Sequence, residues 1–98
     1  MYMKIHETKQ GKIVAACDKE LLGKILDDGK IHLDLARSRS FYEGELTTRE
    51  ELMEELEDAI SANLVGKNTV SVAIEGGFAH ENDVIYINET PHIQIYKI

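Results

Sequence analysis

Apolar and polar positions alternate at the two ends of the chain and recur at a helical period in its middle. Residues 2–7 and 12–17 alternate or run apolar on either side of Thr8-Lys9-Gln10-Gly11, which predicts two strands joined by a tight turn with glycine supplying a positive φ. Asp18 is then placed to cap a short helix through Glu20, Leu21 and Leu22 to Leu26. The Asp27-Asp28-Gly29 turn ends that helix, and Gly23 weighs against it. Residues 30–36 return to period two, with Ile31, Leu33 and Leu35 inward and His32 and Asp34 outward, so a third strand is expected. The basic stretch Arg37-Ser38-Arg39-Ser40 reads as a loop leading to Phe41 and Tyr42.

The strongest periodic signal follows. Thr47 or Thr48 precedes Glu50 or Glu51 at capping-box spacing, and Leu52, Met53, Leu56, Ala59, Ile60 and Leu64 recur every three or four residues. This predicts a helix over 48–64 with Gly66 ending it. Residues 69–75 fit either period, since Val70, Val72 and Ile74 alternate whereas Val70, Ala73 and Ile74 before Gly76-Gly77 suit a capped helix. The helix is preferred. Residues 84–88 and 92–97 alternate around Asn88-Glu89-Thr90-Pro91 as a closing hairpin, with Pro91 fixing the entry to the last strand. The expected fold is a single α+β domain over residues 1–98. A mostly antiparallel sheet from N- and C-terminal hairpins packs on one long amphipathic helix and one or two short helices.

Composition agrees with that picture and narrows the function. A chain of 98 residues, 43% apolar and 30% charged with one proline, is that of an ordinary globular domain with room for one core. No apolar run approaches the roughly 20 residues a membrane helix needs. The alternating start, Met1 to His6, reads as a strand rather than a signal peptide. One cysteine, Cys17, excludes an internal disulfide, and with the missing leader it points to a cytoplasmic protein. The net charge of −7 is carried by residues 41–60, where eight acids face Arg49 alone. The other 78 residues hold ten acids and ten bases. Such a total argues against wrapping duplex DNA, where phosphate contacts dominate affinity, and leaves local RNA contact open.

Candidate chemistry is sparse. Gly66-Lys67-Asn68-Thr69 fails as a phosphate loop, because Ser61 stands where the first glycine belongs and Asn68 where the hydroxyl residue after lysine belongs. Cys17 paired with a histidine such as His92 would make a nucleophile. At the end of an apolar strand, however, a thiol is more often a small buried hydrophobe, so it is expected to be unreactive. His6, His32, His80 and His92 lack the close pairing of a metal site, and no metal or other cofactor is expected. The helix acids Glu50, Glu51, Glu54, Glu55, Glu57 and Asp58 read as a solvated face, with docking to a basic protein surface as the functional alternative. On the closing hairpin, alternation sets Tyr86, Asn88, His92, Gln94 and Tyr96 outward, opposite Ile85, Ile87, Ile93 and Ile95. His92 and Gln94 are then partly exposed beside Tyr86 and dispensable for folding. If Tyr2, His6 and His32 share that face, it offers aromatic rings and amides suited to stacking bases or holding a peptide.

Several stretches together resemble an archaeal family known as domain of unknown function 424, over essentially the whole chain. They are Cys17-Asp18 with Glu20-Leu21-Leu22-Gly23-Lys24, Phe41-Tyr42 with Gly44-Glu45, Ala62-Asn63-Leu64-Val65-Gly66, Ile85 with Ile87, and Pro91-His92 with Gln94. The resemblance implies an archaeal cytosolic protein and carries no reaction, ligand or catalytic residue. The resulting expectation is a non-catalytic binding or adaptor module for a protein or ribonucleoprotein partner, with translation as the setting to examine. It acts through Asn63, Tyr86, His92 and Gln94. Two alternatives stay open: a small Cys/His enzyme, and a homodimer whose hairpin face is only an interface.

Overall fold

The computed structural model describes residues 1–97. The opening hairpin forms as expected: β1 (Tyr2–Thr8) and β2 (Gly11–Cys17) pair in antiparallel register from Tyr2↔Cys17 to Thr8↔Gly11. The β2 run Val14-Ala15-Ala16-Cys17 is buried throughout because both its faces are covered. Val14 and Ala16 point into one apolar cluster, with Leu52, Leu56, Ala62, Leu64, Val70, Val72, Ala73 and Ile93. Ala15 and Cys17 point into a second, with Leu35, Tyr42 and Val65.

The helix expected over 48–64 is divided. α2 (Arg49–Asp58) starts at the capping box, with Thr48 and Glu51 satisfying each other's backbone N–H groups. Residues Ala59–Val65, however, are strand β6. There they pair in parallel with β2 and in antiparallel with the last strand, two ladders that a helix would forfeit. In β6, Ala62 and Leu64 face the helices while Ser61, Asn63 and Val65 face the other way, a period-two pattern that Ala59, Ile60 and Leu64 masked. Lys97 Nζ closes the end of α2 by donating to the Leu56 and Glu57 carbonyls. Gly66 therefore ends a strand rather than a helix. α3 (Lys67–Glu75) follows at once, as preferred for residues 69–75.

Between β2 and α2 lies an arm that crosses the far face of the sheet. The helix expected through Leu26 is reduced to one 3₁₀ turn, Lys19–Leu21: Leu22 is already extended, and Gly23 follows with a left-handed φ of 89°. Leu26 instead lies in β3 (Ile25–Asp27), which pairs with β4 (His32–Asp34) as a separate two-stranded sheet. Asp28 Oδ1 accepts from Lys30 and Ile31 N–H to close the turn between them. The strand expected over 30–36 is thus three residues long, since Asp34 Oδ1 turns the chain by accepting from Ala36 and Arg37 N–H. The expected loop 37–40 runs into a helical turn, α1 (Arg39–Tyr42). The short edge strand β5 (Glu45–Leu46) then pairs with β1.

β7 (Ile85–Ile87) and β8 (Thr90–Tyr96) form the closing hairpin, but its turn is only Asn88-Glu89, both left-handed with φ 48° and 70°. Thr90 and Pro91 belong to β8. The six-stranded sheet runs β5-β1-β2-β6-β8-β7, antiparallel except for β2 and β6, with α2 and α3 on one face and the arm on the other. The protein is an α+β domain of the expected class.

Candidate recognition face

Strand register brings residues distant in sequence into rows across the arm side of the sheet. The first row is Tyr2, Cys17, Val65, His92 and Ile85; the second is Lys4, Ala15, Asn63 and Gln94; the third is His6, Ile13, Ser61 and Tyr96. The arm covers the β1–β2 half of these rows, extends over Val65 in the first row and touches the β7–β8 turn, where Asn88 Nδ2 donates to the Asp27 carbonyl at 2.6 Å. Lys4 Nζ donates to the Ser40 carbonyl at 2.8 Å. The His6 ring stacks on Phe41 at 4.5 Å, with Nε2 at 2.9 Å from the Phe41 carbonyl. Over β6 and β8, the second and third rows hold the exposed Gln94 and Tyr96 beside the half-buried Ser61 and Asn63.

On this open strip Gln94 Nε2 donates to Asn63 Oδ1 at 2.9 Å. Apart from this bond, the Asn63 amide N–H groups and the Gln94 side-chain carbonyl oxygen have no hydrogen-bond partner among the described residues. Such a donor–acceptor edge is complementary to a peptide group or a base edge. Tyr96, 71% exposed, flanks it.

Two expected members of the site lie elsewhere. His92 shares the face but is buried, 8% exposed, because it sits in the first row between Val65 and Ile85; its Nδ1–H donates to the Leu64 carbonyl at 2.9 Å. Burial holds its pKa below the ordinary histidine value, so the imidazole is neutral and structural in character. Tyr86 is exposed but on the opposite face. The two-residue turn sets it against Pro91, on the side of Ile93 and α3, and puts Ile85 and Ile87 on the His92 side. The expected outward row of Tyr86 with His92 and Gln94 is corrected by that register.

The residues weighed for catalysis do not converge. Cys17 is fully buried and burial pushes its thiol up to about 11, so it is a poor thiolate at neutral pH. Val65 stands between it and His92, a separation of two strand spacings or roughly 9–10 Å. His32 is on the arm hairpin, with Nδ1 at 2.9 Å from Asp27 Oδ2, and His80 is exposed ahead of the 3₁₀ turn Glu81–Asp83. Among the described residues, no three of His, Cys, Asp and Glu stand together as metal ligands do. No described helix is long and apolar enough to cross a membrane.

Sequence reasoning missed the role of Asp18. It does not cap the 3₁₀ turn after it; its carboxylate accepts from Asn68 N–H at 3.1 Å, Thr69 N–H at 2.8 Å and Thr69 Oγ1 at 2.7 Å. The first turn of α3, where an anion would bind, is already filled by the protein's own carboxylate. Gly66 permits the approach: at φ 109°, a Cβ there would stand 2.3 Å from Asp18 Cγ. The signal in the sequence was a glycine directly before a helix that lacks its own cap.

The acidic helix is also less open than expected. Glu51 is used in the capping box, and Glu55 pairs with Lys12 at 2.9 Å, with Asp58 at 3.7 Å from the same amine. Arg49 bridges to Glu75 and Ser71 of α3. Glu50, Glu54 and Glu57 remain exposed.

None of the curated proteins matches the chain. A crystal structure of an uncharacterized conserved protein from Methanopyrus kandleri is similar to it throughout. The TM-score is 0.78 at 28% identity, over 99% of this chain and 90% of that one. That likeness supports the archaeal setting. The family model described as protein of unknown function (DUF424) matches residues 5–98, and the chain belongs to that family.

Proposed function

We propose that this protein is a non-catalytic binding module that recognises a protein or ribonucleoprotein partner through the open strip of β6 and β8. The observation that carries the reading is the exposed Asn63–Gln94 amide pair beside Tyr96. A polar edge with an adjoining ring can hydrogen-bond and stack on a partner without further assembly. The neutral, sealed Cys17 and its distance from His92 weigh against the enzyme alternative. His92 contributes by fixing the Leu64 carbonyl behind the strip, not by touching the partner. The exposed acids Glu50, Glu54 and Glu57 lie on the helix side of the sheet and suit a basic surface on the same partner, in a cytoplasmic complex for which translation is the first setting to examine.

The test is affinity capture from an archaeal lysate at low and high salt, identifying both RNA and protein. Wild type is compared with the combined Asn63→Ala, Gln94→Ala and Tyr96→Ala variant. Loss of the captured partner from a folded variant supports the reading. Undiminished capture at both salt concentrations overturns it.

A further inference from the structure

The geometry points to a second binding site on the other side of the sheet: the free edge of β7, together with the groove between β7 and α3, accepts an extended peptide segment. The segment has an apolar residue at its centre and basic residues at its flanks. This site is separate from the Asn63–Gln94 strip and stands or falls without it.

Pro91 sets the hydrogen-bonding phase of the β7 edge. Its carbonyl accepts from Gly66 N–H at 2.8 Å and so points away from β7. N–H and C=O of one residue point to the same side of a strand, so Tyr86↔Pro91 is a non-hydrogen-bonded pair in the β7–β8 ladder. Tyr86 therefore directs its own N–H and C=O outward, to the sheet edge, where β7 has no further neighbouring strand among the described residues. An added antiparallel strand would exchange two hydrogen bonds with Tyr86. The residue facing Tyr86 would put its side chain on the same sheet face as the Tyr86 ring.

That face holds a groove. Val70, Ile74, Tyr86 and Pro91 line it, with Lys67 and Glu81 at its rims, around a cavity of about 280 Å³. The volume is just below the roughly 300–1,000 Å³ of small-molecule sites and suits one large apolar side chain. Tyr86 is 58% exposed and Ile85, on the other face of the same strand, 46%. An added strand would cover both.

Charge selects the occupant. Asp83 and Glu89 flank β7 on either side, both exposed and without an ion pair among the described residues. Asp83, in the 3₁₀ turn, and Glu89, in the hairpin turn, stand just beyond the two ends of the three-residue β7, so a second copy pairing about Tyr86 would bring the Asp83 end of each copy to the Glu89 end of the other, like charge towards like. The edge thus disfavours its own copy and favours a segment with Lys or Arg about three residues either side of the centre.

The probe is the labelled, end-blocked heptapeptide Lys-Thr-Val-Leu-Val-Thr-Lys, titrated into isotopically labelled full-length protein with amide shifts followed by NMR. The expected result is saturable shifts at Tyr86, Val70 and Ile74, and slowed exchange of the Tyr86 amide. Binding should weaken at least about fivefold when the peptide's two Lys become Glu. The Asp83→Lys, Glu89→Lys double variant, altered only at exposed positions, should reverse that preference. Asn63→Ala with Gln94→Ala should leave it unchanged. No shift at Tyr86 with 1 mM peptide, equal binding of the Glu-ended peptide, or shifts confined to β6 and β8 would each overturn the inference.

Discussion

The two faces of the sheet are covered in different ways. On one side α2 and α3, ten and nine residues long, lay Leu52, Leu56, Val70, Val72 and Ala73 over Val14, Ala16, Ala62, Leu64 and Ile93. On the other, an arm of three- and four-residue pieces sets Leu35 and Tyr42 over Ala15, Cys17 and Val65, and β6 and β8 stay open at Asn63 and Gln94. Regular helices seal a face because every turn contributes to one apolar stripe. An arm tied down by Asp-centred turns seals only where its few apolar side chains land. The open strip is thus a consequence of how little that arm can cover.

The largest expected effect tests this inequality. Leu56→Ala, 2% exposed under α2, should cost about 3–5 kcal/mol in chemical denaturation. Leu26→Ala, half-buried in the arm, should cost about 1–2 kcal/mol. Native-state hydrogen exchange should show β3 and β4 amides opening at a lower free energy than those of β2 and β6. Equal exchange free energies would mean that arm and sheet unfold as one unit, and the comparison would fail.

The second effect concerns a point where the two sides are joined by a buried polar group. Asp18, 3% exposed, leaves β2 for the arm yet caps α3 on the helix side. Asp18→Ala strips Asn68 and Thr69 of their acceptor and should cost about 2–3 kcal/mol, more than an exposed helix cap. Gly66→Ala should cost a similar amount, from the left-handed φ and the contact on Asp18. In the double variant the losses should be less than additive, because the clash disappears with the carboxylate.

These elements also explain what could be read in the sequence. The opening hairpin, the capping box at Thr48 and Glu51 and the closing hairpin were legible because a short-range period or turn decides each, whereas residues 69–75 fit both periods and only Gly76-Gly77 favoured the helix that forms as α3. The end of α2 was not: Leu56, Ala59, Ile60 and Leu64 satisfy a helical period, and only pairing with β2 and β8 makes Ala59–Val65 a strand. The exposure of His92 and the facing of Tyr86 depended on turn length. Taking Asn88 to Pro91 as the turn, rather than Asn88-Glu89, moves Tyr86 to the wrong face. Asn63 and Gln94 were legible as polar strand residues, but their contact required the register of two strands 31 positions apart.

A third, smaller effect distinguishes His92 from the strip it was expected to share. Its buried imidazole resists protonation, whereas in the unfolded chain it protonates near pH 6.5. Below that value the unfolded state holds the extra proton, so stability should fall as pH drops through about 6.5 and be flat above it. His92→Gln should cost about 1–2 kcal/mol at pH 8 and flatten the acid slope between pH 6.5 and 5. An unchanged slope would assign the acid sensitivity to other groups.

The smallest effect on stability should accompany the largest on recognition. Gln94 is exposed and Asn63 half-buried, and their hydrogen bond competes with water at both ends. Replacing both with Ala should shift unfolding by no more than about 0.5 kcal/mol, as for exposed positions away from special features. A double-mutant cycle on the two should give a coupling of similar size. If the double variant instead lost several kcal/mol, Asn63 and Gln94 would be holding β6 to β8. The open strip would then be a structural seam, and the partner would have to be sought on the β7 edge or the acidic face of α2.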